Sequence, residues 1–324
     1  MEPLSAIISL LRPRVVHPKL ITESGRWEVR YPKVEVAGYG LVLSGRCHLI
    51  RDGMAPATLA AGDFVLMPPA PGFVMASDPD VEPVTAEPVM VDAGTADGLT
   101  EVRHGDQEGT AEFEMLGGYF LFDPANISLL AELLPDLVHV RGADVTAKRL
   151  AAMIDLATEE ALARRPGRDL ILERLVEVML VEALRHSGES AHPVGRPNLL
   201  RGLADPNLSR ALRCFHADLQ RHWTVGELAR EAGLSRSAFS ERFATAVGLP
   251  PMAYLIQWRM AVAKDLLRRG GMALEELAFA IGYESASAFS TAFRKNVGRP
   301  PSHFAKEMRA DARPTAEGRI TASA

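Results

Sequence analysis

Two groups of hydrogen-bonding side chains recur at matching places in this 324-residue chain, Ser237, Ser240 and Glu241 in one and Ser287, Ser290, Thr291 and Arg294 in the other. Each group lies beside two phenylalanines four residues apart, Phe239 with Phe243 and Phe289 with Phe293. On a helix that spacing marks one buried side. Stepping about 100° per residue from the leading phenylalanine turns these polar side chains, and Ala244 with them, to the opposite face. Such a face suits recognition by hydrogen bonds. A carboxylate such as Glu241 can accept from the amino group of cytosine, and a guanidinium such as Arg294 can donate to guanine.

The elements that must hold these faces are themselves repeated. One copy begins Thr224-Val225-Gly226-Glu227-Leu228-Ala229-Arg230-Glu231-Ala232-Gly233-Leu234-Ser235, the other Ala273-Leu274-Glu275-Glu276-Leu277-Ala278-Phe279-Ala280-Ile281-Gly282-Tyr283-Glu284-Ser285. Leu228 with Leu277 and Gly233 with Gly282 are 49 apart, whereas Phe239 with Phe289, Gly248 with Gly298 and Pro250-Pro251 with Pro300-Pro301 are 50 apart. One residue has been added inside the second turn. In each copy a short helix places Leu and Ala inward, Gly ends it in a left-handed conformation, and Ser caps the next helix. This is helix-turn-helix geometry, whose second helix enters the major groove.

A single copy would equally suit a helical hairpin with a Gly turn. Here two copies are joined by a stretch from Ala253 to Arg269 with apolar residues at Leu255, Ile256, Met260, Val262, Ala263, Leu266 and Leu267. That stripe predicts a rigid helix, able to set two recognition helices into groove segments about 34 Å apart.

Together with the run Ala278 to Tyr283, the run Ser287 to Phe293 and the closing Gly298-Arg299-Pro300-Pro301-Ser302-His303-Phe304, these units resemble the AraC/XylS family of bacterial transcription regulators over about residues 205–308. The resemblance implies sequence-specific binding to double-stranded DNA, with phosphate contacts supplying most of the affinity and the polar faces the discrimination. Ala305 stands where such domains usually have Arg after the final aromatic.

Charge is distributed to match. Residues 1–204 hold 19 Lys and Arg against 29 Asp and Glu, residues 205–310 hold 15 against 10, and the last fourteen balance at 2 and 2. A basic segment coincident with the repeats is the electrostatic footprint of a DNA-binding module. Arg268, Arg269, Arg294, Lys295 and Arg299 are the candidate phosphate contacts. The length predicts two domains, and 47% apolar content is enough for ordinary cores. No apolar run reaches membrane-spanning length and the N-terminus lacks a signal-like segment, so a cytoplasmic protein without membrane contact is expected. Cys47 and Cys214, far apart in sequence, suggest no disulfide framework.

Between Trp27 and Met75 the chain reads as short strands: a Val/Leu-bearing run from Tyr39 to Leu49, a hairpin turn at Asp52-Gly53, and the strand Phe64 to Met67 after Gly62-Asp63. This predicts a small barrel or sandwich. The stretch Leu59 to Pro68 resembles the second half of a cupin motif, and a cupin-like sensor commonly precedes an AraC-type reader. Enzymatic cupins hold a metal with paired histidines and a carboxylate. Here His48 has Arg46 and Ile50 at the neighbouring same-face positions, and Phe73 stands where a later histidine would be. No metal, cofactor or catalytic activity is therefore expected. The candidate instead is an apolar effector pocket walled by Trp27, Tyr39, His48, Met67 and Phe73. Cys47, between Arg46 and His48, could be a redox-sensing thiolate, but a half-buried strand cysteine is the preferred reading.

After Asp123-Pro124 the pattern turns helical, over Ala147–Arg164 and Asp169–Leu184. In related regulators helices after the barrel form the dimer contact. Leu172, Val176 and Met179 are accordingly candidates for a homodimer seam, the alternative being packing on their own barrel. The expected architecture is α+β in two domains: a cupin-like effector-binding and dimerisation domain over 1–186, a linker over 187–204, a DNA-binding domain over 205–310 and a disordered tail over 311–324. The expected partners are double-stranded DNA, a small-molecule effector, a second copy of the chain and RNA polymerase. Two other readings are a cupin enzyme fused to a DNA anchor and an architectural DNA-binding protein without effector control.

Overall fold

The computed structural model describes residues 2–15, 19–31, 36–67, 72–79, 100–105, 110–122, 125–126, 135, 137–163, 165–189 and 197–311. The first half is built from strands β1 (Arg14–Val15), β2 (Lys19–Ser24), β3 (Glu28–Tyr31), β4 (Ala37–Ser44), β5 (Arg46–Arg51), β6 (Ala57–Ala60), β7 (Phe64–Met67), β8 (Phe73–Ala76), β9 (Thr100–Gly105), β10 (Phe113–Leu121) and β11 (Val138–Val140). They form one sheet in the order β11-β7-β4-β10-β2-β9, with β1 also paired to β10, and a second in the order β3-β8-β5-β6. The pairings are antiparallel except that of β2 with β9.

The run expected from Tyr39 to Leu49 is two strands, because Gly45 breaks it and sends β4 and β5 into different sheets. Gly45 has φ +78°, and a Cβ there would strike the Glu112 carbonyl oxygen, so the corner requires glycine. The Asp52-Gly53 turn joins β5 to β6 as expected. Strand β7 is buried on both faces, which explains its unbroken apolar run. Val65 and Met67 look into the space between the sheets with Trp27, Cys47, Leu49, Met75, Phe113 and Met115. Phe64 and Leu66 look outward to a second core shared with helices.

Those helices are α1 (Pro3–Leu11), α2 (Val145–Ala163) and α3 (Arg168–Glu189). Helix α1 was not anticipated: Glu2 caps it by accepting from the Leu4 and Ser5 amides at 2.9 and 2.8 Å, with Pro3 in its first turn. Only Ser5 and Ser9, one turn apart, are exposed on α1, so its polar stripe is narrow within a short and otherwise apolar run.

The remainder is helical: α4 (Leu199–Ala204), α5 (Pro206–Ala217), α6 (Val225–Ala232), α7 (Arg236–Val247), α8 (Pro251–Arg269), α9 (Leu274–Ala280), α10 (Ala286–Val297) and α11 (Pro301–Asp311). The span expected as a linker, 187–204, is corrected at both ends. Helix α3 runs on to Glu189, and Asn198 caps α4, whose Leu199 and Leu200 are buried. Two closely spaced leucines after a capping Asn are a packing signal that the Gly- and Pro-rich neighbourhood obscured; residues 190–196 and the tail beyond Asp311 lie outside the described residues. The first helix-turn-helix shares a continuous core with α1, α3 and the larger sheet, whereas the second has its own core around Phe289, Phe293 and Phe304.

Candidate nucleic-acid interface and sensor cavity

Helix α6 opens with a reciprocal cap. The Glu227 amide donates to Thr224 Oγ1 at 3.2 Å while Glu227 Oε2 accepts from the Thr224 amide at 2.8 Å. Arg221 beside it, with the Thr224 bonds, holds the Glu227 carboxyl down to about 2. Gly233 ends α6 at φ +68°, its amide reaching Arg230 O and the Leu234 amide reaching Ala229 O. Ser235 then caps α7, and Gly248 ends it at φ +88°. The second unit repeats the turn with Gly282 at φ +81°, the bond from the Tyr283 amide to Ala278 O, and Ser285 capping α10. Glu284 is the added residue. It leaves the closing turn of α9 intact and lengthens only the approach to α10.

The phenylalanine pairs are buried as expected, with Phe239 and Phe243 ring centroids 5.6 Å apart and Phe289 and Phe293 5.4 Å apart. Opposite them, Ser237, Glu241, Ser287, Thr291 and Arg294 are exposed, and Ser240, Ala244 and Ser290 are half-buried. Two hydroxyls donate within their own helices, Ser240 to Arg236 O at 2.9 Å and Thr291 to Ser287 O at 3.1 Å. Those oxygens remain acceptors only. Sequence reasoning passed over Arg236, which is exposed at the first position of α7, where helix-turn-helix readers meet base edges.

The phosphate candidates are less open than charge alone implied. Arg268 and Arg269 hold Asp265 at 3.2 and 2.7 Å, and Arg299 pairs with Glu307 while lying 5.1 Å over the Phe304 ring. Lys295 is exposed. The spacing of Asp265 to Arg268 and Arg269, three and four residues along one helix, was the available signal.

The two units are also tied to each other. Arg259 on α8 donates to Leu219 O and Arg221 O at 3.1 and 2.8 Å, and its guanidinium lies over the Tyr283 ring at 5.9 Å. Burial lowers its pKa, with Tyr283 opposing. On the other side, His216 Nε2 meets Tyr254 Oη at 2.6 Å, and burial pushes the imidazole down to about 3, so it is neutral at ordinary pH.

Between the two sheets lies a cavity of about 70 Å³. Tyr39, Met67 and Phe73 border it, although the Tyr39 ring itself stacks on Phe120 in the neighbouring core at 4.7 Å. Trp27 and His48 do not border it. Trp27 packs against Phe113 in the core between the sheets, and His48 lies on the other face of β5 with Nδ1 3.4 Å from Thr58 Oγ1. The remaining wall comes from residues distant in sequence, including Lys19, Ile21, Tyr31, His104, Met115 and Tyr119, with Gly38, Gly40, Gly117 and Gly118. A Cβ on Gly40 would sit 2.7 Å from Met115 Sδ, and one on Gly117 3.1 Å from Ile21 Cδ1. Burial lowers the Lys19 pKa. Behind the wall residue His104, buried Glu23, 1% exposed, shares a hydrogen bond with His104 Nδ1 at 2.7 Å; burial raises the Glu23 pKa against that bond.

Cys47 is wholly buried, and burial, with the charges of Glu23 and Asp63 behind it, pushes its thiol up to about 12. It remains protonated at neutral pH and is unsuited to sensing oxidants. Among the described residues no group of three or more His, Cys, Asp and Glu side chains is placed to hold a metal ion. The expected dimer seam is also corrected. Val176 and Met179 are 0% and 2% exposed, packed in the core that α3 shares with the larger sheet, whereas Leu172 is half-buried.

Residues 2–188 match a family model described as Cupin, and residues 228–307 one described as Helix-turn-helix domain. A putative AraC-like transcription regulator from Streptomyces lividans is 37% identical over 94% of this chain and 98% of its own length. A second, from Streptomyces antibioticus, is 33% identical over 94% and 99%. Among solved structures, the DNA-binding domain of AdpA in complex with a target DNA aligns with 34% of this chain and 99% of its own, at 28% identity and a TM-score of 0.32. With relatives of this identity matched over nearly their full length, and with a cupin domain followed by paired helix-turn-helix units, the chain belongs to the AraC-like family of DNA-binding transcription regulators.

Proposed function

We propose that this regulator reads two DNA boxes about one helical turn apart with α7 and α10, and that a small apolar effector entering the cavity between the sheets alters that reading. The observation that carries the effector is the glycine-lined wall. Four glycines in the middle of paired strands β4 and β10 weaken a sheet, yet a Cβ on Gly40, Gly117 or Gly118 would strike Met115, Ile21 or Tyr39, so glycine is what lets these side chains lie against the strands at the cavity wall. The cavity is smaller than the roughly 150 Å³ that accommodates benzene. Met67, Met75 and Met115 at its wall are unbranched and adaptable, so the effector enters as they repack.

The effector acts only through different affinity for two arrangements of sensor and reader. Serine, threonine and glutamate at the base-facing positions give the sequence discrimination, and Arg236, Arg294 and Lys295 join the contacts to base edges and phosphates. Arg268, Arg269 and Arg299 reach phosphate by exchanging their present carboxylate partners. Self-association uses the outer face of α3, where Leu170, Ile171 and Val178 are 59%, 41% and 46% exposed. The protein works in the cytoplasm, without catalysis, and meets RNA polymerase at its promoters.

The test is thermal stabilisation of the full chain by fractionated metabolites of the source organism, followed by the Gly117→Val variant. A ligand that stabilises the parent protein and fails to stabilise the variant, while both still bind promoter DNA, supports the site. Equal stabilisation of both would remove the cavity from the account.

A further inference from the structure

The sensor grips the reader at two adjacent residues of one helix. Helix α8 is the spine of the DNA-binding half. Its Tyr254, Leu255, Trp258 and Ala261 belong to the core of the first unit, and its Met260, Ala263 and Leu267 to that of the second. Near its C-terminal end, Lys264 Nζ donates to Ala125 O at 3.0 Å, and Ala125 packs into the core of the second unit. The next residue, Asp265, is 4% exposed and accepts from Arg12 Nη2 at 2.9 Å. Both Arg12 and Ala125 come from the sensor half.

Arg12 is an unusual residue on which to place such a contact. It closes α1 at φ +44° and is the one non-glycine with positive φ among the described residues. A left-handed arginine costs free energy that the surroundings must offset. Its amide bonds to Ile8 O, and its guanidinium ends on a buried carboxylate of the other domain. Helix α1 itself is packed against α3, α5 and α8. The sensor therefore holds the first unit through α1 and the second through Lys264 and Asp265.

One strand joins both grips to the cavity. Arg12 lies two residues before β1, which pairs with the end of β10 through Arg14 with Leu121 and Val15 with Phe120. Four residues beyond Leu121 the chain reaches Ala125. Earlier in the same strand, Met115, Gly117, Gly118 and Tyr119 border the cavity.

We infer that Arg12 and Ala125 are positioning residues for DNA reading. They clamp the C-terminal end of α8 and so fix how the second recognition helix stands relative to the first, and β10 transmits displacement of the cavity wall to both. The clamp stands on the two-box reading of DNA. The transmission through β10 rests in addition on the effector reading.

The experiment uses the full chain and a tight-binding two-box duplex selected from random sequence. Affinity is measured for that duplex, for versions with the spacing lengthened or shortened by one or two base pairs, and for one box alone. Arg12→Gln is expected to lose about fivefold or more on the selected duplex, to bind the single box as the parent does, and to show a flattened spacing preference. Arg12→Lys, which keeps the cation, should restore the preference. Asp265→Asn also releases Arg268 and Arg269, so its overall affinity need not follow Arg12→Gln. It should flatten the spacing preference in the same way, and adding it to Arg12→Gln should flatten that preference no further. Lys264→Met tests the second grip by the same ratio. A merely structural role would lower the melting temperature and weaken all duplexes alike.

If Arg12→Gln and Lys264→Met retain the parent's spacing preference, the clamp is overturned and the two-box reading survives. If the parent protein shows no spacing preference, the two-box reading falls and the clamp with it.

Discussion

The two turn glycines occupy the same place in the repeat, and the structure assigns them different costs on substitution by alanine. Gly233 has φ +68°, and a Cβ there would meet Arg210 Nη2, the far end of a flexible side chain, at 3.2 Å. Gly233→Ala should therefore cost little more than the left-handed penalty, about 1–2 kcal/mol. Gly282 has φ +81°, and its Cβ would lie 2.5 Å from Arg259 Nη2 and 2.8 Å from the Leu219 carbonyl oxygen. Arg259 must then move, loosening its bonds to Leu219 O and Arg221 O. A charged hydrogen bond contributes about 1.5–3 kcal/mol, so with the left-handed penalty Gly282→Ala should cost about 2.5–5 kcal/mol in all. Urea denaturation of the two variants, followed by tryptophan fluorescence and far-UV circular dichroism, gives the comparison from midpoints at a shared slope. Equal losses, within about 0.5 kcal/mol, would refute the argument that Arg259 is wedged between the units at Gly282.

Three further outcomes follow from single side chains. Buried His216 has its pKa depressed to about 3 from 6.5, so the unfolded chain binds a proton between those values that the folded chain does not. Its contribution is complete above about pH 6.5 and declines as pH falls, by about 1.4 kcal/mol per unit; denaturation of the parent and His216→Gln at pH 7.5 and 5 should show the gap between them narrowing, and a pH-independent gap would contradict this. Glu241→Ala should relax base preference at one position by about 1–3 kcal/mol, read from selected binding sites, and an unchanged profile would take Glu241 off the reading face. Arg236→Ala should weaken binding to the box read by α7 by about 1–3 kcal/mol and spare the other box, whereas equal weakening of both would make Arg236 a general charge.

The reader was legible because its signals are local. Thr224, Ser235 and Ser285 cap their helices, Gly233 and Gly282 end theirs, and the phenylalanine pairs mark the buried face within two turns. The strands of the first half were legible from turn glycines and short apolar runs for the same reason, and their cupin-like character from the resemblance carried by Leu59 to Pro68. The cavity was not. Its wall joins β2 to β9 and β10, elements separated by some eighty to a hundred residues, and no local pattern announces that Lys19, His104 and Tyr119 face one space. His48 was misplaced although its neighbours held the answer, since Cys47 and Leu49 are the apolar alternates of β5 and are 0% and 1% exposed. Val176 and Met179 had two possible partners, a second chain or the larger sheet, and periodicity identifies an apolar face without saying what covers it. Arg268 and Arg269 read as free cations by composition, but Asp265 one helical turn earlier engages both.

The most direct test of the account is selection of genomic fragments by the purified full chain at near-physiological salt, followed by hydroxyl-radical footprinting of the recovered sites. The expected result is a few promoters, each with two protected segments whose centres lie about 10–10.5 base pairs apart. Recovery of DNA without a shared motif, with or without added metabolite extract, or protection of a single segment throughout, would contradict a paired sequence-specific reader.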